Sequence, residues 1–168
     1  MIGHEMKLNG LATWPVAAQD DTFQRVFDQN WARIYALSFW MTDNEMMAEE
    51  VTGNVFRRAI ALDPDPSPKA IDHALLAELR ELTPLGALTL TLPTVTEVKN
   101  VRRNTLRVHL ERAVVQLPST ERLIFLLHDL EGYDHERIAR LLDLQPRKCE
   151  LALHQARLRI RQLVAEMQ

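Results

Sequence analysis

An all-α chain of two small helical domains joined by a linker, the second carrying a helix-turn-helix, is expected on three grounds. Apolar residues recur at spacings of three and four along most of the chain, the period of a helix with one buried face. Proline clusters and N-capping residues cut that pattern into short segments. The charge balance changes sign along the chain. Residues 1–98 carry seven Lys/Arg against 14 Asp/Glu, and residues 99–168 carry 13 against nine.

Met1–Gln19 has no period and is expected to be a flexible leader. Residues 20–82 make the first domain. Asp20-Asp21-Thr22 offers N-cap chemistry, and Phe23, Val26, Phe27, Trp31, Ile34, Leu37 and Met41 form one helix face, with Trp31 in the core. Thr42-Asp43 breaks that helix and caps the next, where Met47, Val51, Val55, Phe56 and Ile60 point inward. Three prolines between Asp63 and Pro68 end it. A third helix, about Lys69–Leu82, buries Ile71, Leu75, Leu76 and Leu79.

Residues 83–97 read as the linker. The alternation in Leu88-Thr-Leu-Thr-Leu92 is a short strand signal without an obvious partner, so an extended segment is preferred to a strand. The second domain spans residues 98–168. Val98–Gln116 reads as a helix with Val101, Leu106, Leu110, Ala113 and Leu117 inward. Ser119 or Thr120 caps a helix carrying Leu123, Ile124, Leu126, Leu127 and Leu130, and Gly132 stops it. Asp134 caps a short helix with Ile138, Leu141 and Leu142 inward. After a tight turn at Leu142–Gln145, Pro146 starts the last helix at a position that tolerates its missing N–H. Cys149, Leu153, Ala156, Ile160, Leu163 and Met167 form its inner stripe.

A short helix, a tight turn and a longer basic helix are the parts that place one helix in a DNA major groove. Outward near the start of the last helix lie Arg147, Lys148, Glu150, Leu151 and His154, followed by Arg157 and Arg161. Arg147 and Lys148 can donate to guanine acceptors or to phosphates, His154 can reach either, and Arg157 suits a phosphate. On pattern alone, a helical hairpin with a solvated basic face fits about as well.

The remaining features narrow the class. No apolar run reaches membrane-spanning length, and the start lacks the pattern of a secretory signal. The single Cys149 cannot form an intrachain disulfide, which suits a reducing cytoplasm. Its inward position marks a buried structural thiol. His128-Asp129 is a doublet seen in metal phosphohydrolases, and His109 and Asp134 could be nominated to complete a metal site. The helix-turn-helix already explains that doublet, so no metal, cofactor or enzymatic activity is expected. No glycine-rich phosphate loop or nucleophile motif is visible.

Gln116-Leu-Pro-Ser-Thr-Glu-Arg122, Phe125-Leu-Leu-His-Asp-Leu-Glu-Gly-Tyr133, Ile138-Ala-Arg-Leu-Leu-Asp-Leu144 and Gln155-Ala-Arg157 together resemble region 4 of bacterial extracytoplasmic-function (ECF) sigma factors. Ile34-Tyr-Ala-Leu37 and Ala48-Glu-Glu-Val-Thr-Gly-Asn-Val-Phe56 resemble region 2 of the same family. The resemblance implies two partners, RNA polymerase core and promoter DNA. Region 2 would grip a coiled coil of the β′ subunit and open the downstream promoter element, and region 4 would bind the upstream element. Glu49, Glu50, Asn54 and Arg57 would lie on the polymerase-facing helix. An anti-sigma factor is a further expected partner.

The chain departs from the family pattern at three places. Gly53-Asn54 replaces the usual Gln-Glu. The helix 69–82 has no Phe, Tyr or Trp to stack on an extruded base, and its face sets Asp72, Glu78 and Glu81 against Lys69 and Arg80. Glu150-Leu151-Ala152 stands where basic or small polar residues are usual. A sigma-like protein that binds an anti-sigma factor or polymerase without initiating transcription is therefore the alternative reading.

Overall fold

The computed structural model describes residues 16–91 and 105–168, and side chains from residue 21 onward. Among these residues the structure is helical with no strand. Its elements are α1 (Val16–Thr42), α2 (Glu45–Leu62), α3 (Pro68–Leu82), α4 (Arg107–Val115), α5 (Ser119–Phe125), a π turn (Leu126–Leu130), α6 (His135–Leu142) and α7 (Pro146–Met167). Residues 1–15 of the expected leader, residues 92–97 of the expected linker and residues 98–104, with Val101, lie outside the described residues.

α1 and α2 form a hairpin, and α3 packs against α2. α1 begins at Val16, four residues before the Asp20-Asp21-Thr22 cap that the sequence suggested. It also runs through Thr42, whose hydroxyl bonds back to the Ser38 carbonyl at 2.8 Å. Neither Thr42 nor Asp43 therefore caps α2. Asp43 takes the left-handed conformation that ends a helix (φ 51°), and Asn44 Oδ1 accepts from Met47 N at 3.0 Å as the cap. α3 starts at Pro68 with Ser67 as its cap.

The core of this half holds Ile34, Leu37, Val55, Phe56, Ile71 and Leu79, all buried. Trp31 is not core: it is 40% exposed and stacks flat on Tyr35 at 5.0 Å. Phe23 and Met47 are also exposed. These residues edge the α1 and α2 stripes, where the three-helix packing no longer covers them.

In the second half, α5, α6 and α4 surround α7. The predicted helix from Ser119 to Leu130 divides. Its first part is α-helical and its last turn is a π turn, with Glu131 N bonded to Leu126 O at 3.1 Å. Gly132 follows at φ 72°. Pro118, rather than Ser119 or Thr120, occupies the cap position of α5. Within the described part of the predicted Val98–Gln116, α4 runs Arg107–Val115, and it meets the core through Ala113 and Val114. Leu106 and Leu110 are therefore exposed, as is Leu130 at the end of the π turn.

The linker residues 83–91 form neither helix nor strand, bend at Thr83 and Gly86, and lie against the first turn of α5. Gly86 N donates to Thr120 Oγ1 at 3.2 Å, while Thr89 N and Leu90 N donate to Glu121 Oε1 at 2.7 and 2.6 Å. Glu121 is fully buried. Its carboxyl group sits in the first turn of α5, beside the free backbone N–H groups of the helix start. Gly86 has φ 99°, and a Cβ there would stand 3.3 Å from the Leu142 carbonyl oxygen. Leu85, Leu88 and Leu90 pack on the core.

The two halves meet along a polar seam. Asp72 of α3 is only 4% exposed. Its carboxylate accepts from Tyr133 Oη at 2.8 and 2.9 Å, from Arg33 at 3.1 Å and from Arg137 of α6 at 2.6 Å. Arg33 also faces Glu131 at 3.5 Å. At a second point Arg122 of α5 donates to the carbonyls of Trp40, Met41, Val115 and Leu117. It thus satisfies the C-terminal ends of α1 and α4 together.

Candidate nucleic-acid interface

The helix-turn-helix is built from local rules. Asp134 Oδ1 accepts from Arg137 N at 2.7 Å and starts α6. Asp143 takes φ 55°, ψ 49° to end it. Leu144 N then bonds to Ala139 O at 2.9 Å, and Pro146 opens α7 in the first turn. The inner stripe of α7 is Cys149, Ala152, Leu153, Ala156, Ile160, Leu163 and Val164, all buried. Burial pushes the Cys149 thiol above its ordinary value, as for a thiol in an apolar interior.

Arg147, Lys148, Glu150, Leu151, His154 and Arg157 are all exposed on the outer face of α7. Arg147, Leu151 and His154 follow one another at helical spacing, and Glu150, His154 and Arg157 form an adjacent row. Leu151 is 56% exposed, an apolar side chain in a polar setting. Ala152, grouped with Glu150 and Leu151 in the sequence, is buried and belongs to the core. Among the described residues, the outer side chains of the first two turns of α7 are left uncovered.

Arg157 differs from the others. It donates to Asp129 through Nε and Nη2, at 3.0 and 2.5 Å. Partial burial raises the Asp129 carboxyl, but the Arg157 and His128 bonds outweigh it and hold the group below its ordinary range. His128 Nδ1 lies 2.7 Å from Asp129 Oδ1 and its ring stacks on His135 at 4.7 Å. The His128-Asp129 doublet thus ties the π turn to α7.

On α2, Glu49, Glu50 and Arg57 are exposed and Asn54 is half-buried. Arg57 donates to Asn54 Oδ1. The four side chains share one face of the helix. A Cβ at Gly53 beside them would meet nothing within 4 Å, so no close approach requires that glycine.

The α3 face differs from its sequence reading. Asp72 and Glu78 do not project to solvent as an acidic face; both are buried. Glu78 pairs with Arg58 at 2.7 Å, which also reaches Glu81. The seam formed by Arg33, Asp72, Tyr133 and Arg137 was missed in the sequence. One signal could have found it: Tyr133 is a lone aromatic between a stop glycine and a capping aspartate.

Residues 107–160, from the first residue of α4 well into α7, match the family model for sigma-70, region 4. That model describes a domain of transcription factors rather than of enzymes. No curated protein matches the chain. Among the described residues no helix is long and apolar enough to cross a membrane. Residues 107–160, which include the exposed first turns of α7, are thus similar to sigma-70 region 4, which supports a sigma-factor-like, DNA-binding role in transcription.

Proposed function

We propose that the chain is a sigma factor of the ECF type, directing RNA polymerase to a subset of promoters in the cytoplasm. The observation that carries this reading is the region 4-like helix-turn-helix with the first turns of α7 exposed. Arg147 and Lys148 would donate to guanine edges or phosphates, Glu150 would accept from a cytosine amine, and Leu151 would meet a thymine methyl. His154 would reach a base edge or a phosphate. Arg157 would approach the backbone with its guanidinium held by Asp129. Glu49, Glu50, Asn54 and Arg57 would dock on the β′ coiled coil of the polymerase. Weak contacts from the two domains would act together through effective concentration. An anti-sigma partner would compete for the same exposed faces.

One observation favours a second reading, a sigma-like protein that binds polymerase or an anti-sigma factor without initiating. α3 offers no aromatic ring for an unstacked base, and its Asp72 and Glu78 are engaged in internal ion pairs. Transcription with purified core polymerase on a promoter library separates the two. Promoter-dependent transcripts support the sigma factor. Binding to core without a transcript from any library member supports the alternative. In the same system Glu50→Lys is expected to weaken core binding at least tenfold, measured by fluorescence anisotropy. Unchanged affinity would remove α2 from the polymerase interface.

A further inference from the structure

A cavity of about 510 Å³ lies on the seam, with α3 on one wall and α6 on the other. Lys69 and His73 line it from α3, and Arg137 and Arg140 from α6. Among the described residues Lys69 and His73 make no hydrogen bond or ion pair. Arg140 has only a distant carboxylate, Glu136 at 3.9 Å, and its side chain is 72% exposed. Among the described residues the one acid lining the cavity is Asp72, which is already met by Arg33, Arg137 and the Tyr133 hydroxyl. Its carboxylate therefore does little to repel an incoming anion.

Arg137 is held in place from two directions. Its Nη2 bonds to Asp72, and its guanidinium lies 3.5 Å from the centre of the Tyr133 ring. No hydrogen bond among the described residues uses its Nε or Nη1. A positioned guanidinium with spare donors, facing an ammonium and an imidazole across a cleft, is suited to phosphate oxygens. The volume exceeds that of one phosphate and falls in the range of small-ligand sites. Pro68 and Leu141 add apolar wall.

We propose that this cavity binds a small diphosphate-bearing ligand, a nucleoside diphosphate or its kin, gripped by Lys69 and His73 on one side and Arg137 and Arg140 on the other. Because the walls come from the two halves of the chain, the ligand bridges them. A ligand that binds only the joined arrangement stabilises it in proportion to its saturation. The binding itself is independent of the sigma reading.

The test is a titration of the full chain with inorganic pyrophosphate and with ADP, at constant ionic strength, followed by calorimetry and thermal unfolding. Saturable binding and a rising Tm are expected, with at least a tenfold loss of affinity in a Lys69→Glu, Arg140→Glu variant. Both substitutions lie outside the Asp72 cluster, so the variant keeps the seam. Tighter binding of ADP than of pyrophosphate would support the proposal and place the nucleoside against Pro68 and Leu141. Equal binding would support it with the diphosphate alone being read. A response matched by sodium chloride, or one unchanged in the variant, would overturn it. So would failure of both probes alongside a loss of duplex DNA affinity in the variant, which would assign these cations to the DNA backbone.

Discussion

Tyr133 shows how one residue gathers the seam's chemistry. Burial raises its phenol first, and the Asp72 carboxylate beside it raises it further, to about 12 against an ordinary 10.0. Arg33 and Arg137 pull the other way without prevailing. The folded state therefore holds its proton where the unfolded state has lost it. That contribution to stability is complete below pH 10 and is lost as pH rises through about 12. The chain has two tyrosines, so Tyr35→Phe leaves Tyr133 alone to be followed by ultraviolet absorbance. A midpoint near 12 is expected, and a midpoint near 10 would mean that the phenol is not buried against Asp72.

At this scale the sequence was legible where a local rule acts alone. Asp134, Pro146 and Gly132 do what their chemistry prescribes at helix ends. It was less legible where neighbours decide. Trp31 has the spacing of a core residue but lies at the edge of the stripe, where stacking on Tyr35 replaces burial. Asp72 and Glu78 are acids on a helix whose partners, Arg33, Arg137 and Arg58, come from other elements. No spacing rule within α3 announces them.

Among the elements, the linker departs most from a plain reading of its sequence. Its leucine–threonine alternation suggests a strand, yet its backbone donors at Thr89 and Leu90 go to a side chain, Glu121. A buried carboxylate at a helix start substitutes for a partner strand. Glu121→Ala would leave those two amides without an acceptor, at about 1–3 kcal/mol each. Amide hydrogen exchange should show Thr89 and Leu90 losing protection at least tenfold while α7 keeps its own. Unchanged exchange at both positions would mean that the Glu121 carboxylate does not hold the linker. The helix-turn-helix, in contrast, was readable from the sequence because its caps, turn and inner stripe are all local.

For the molecule as a whole, the arrangement of the two halves depends on buried polar contacts at the seam, chiefly at Asp72 and Arg122. Removing one member of a buried ion pair strands the others, which costs about 3–5 kcal/mol. Asp72→Ala would leave Arg137 and the Tyr133 hydroxyl without their carboxylate acceptor and Arg33 with only the more distant Glu131. A larger radius of gyration by small-angle scattering and a lower Tm are expected. An unchanged radius with unchanged Tm would show that the Asp72 cluster does not hold the halves together. Such long-range pairing could not be read in the sequence, since Asp72 and Tyr133 are 61 residues apart.

Whether α7 reads bases is settled by selecting duplexes from a random library with the wild-type chain bound to core polymerase, and again with Arg147→Ala. The wild type should enrich one upstream sequence. The variant should lose discrimination at one position within it, by about 1–3 kcal/mol if Arg147 makes a bidentate contact to guanine. Selection without any enriched sequence, or the same sequence enriched equally by both proteins, would contradict base reading by this face of α7.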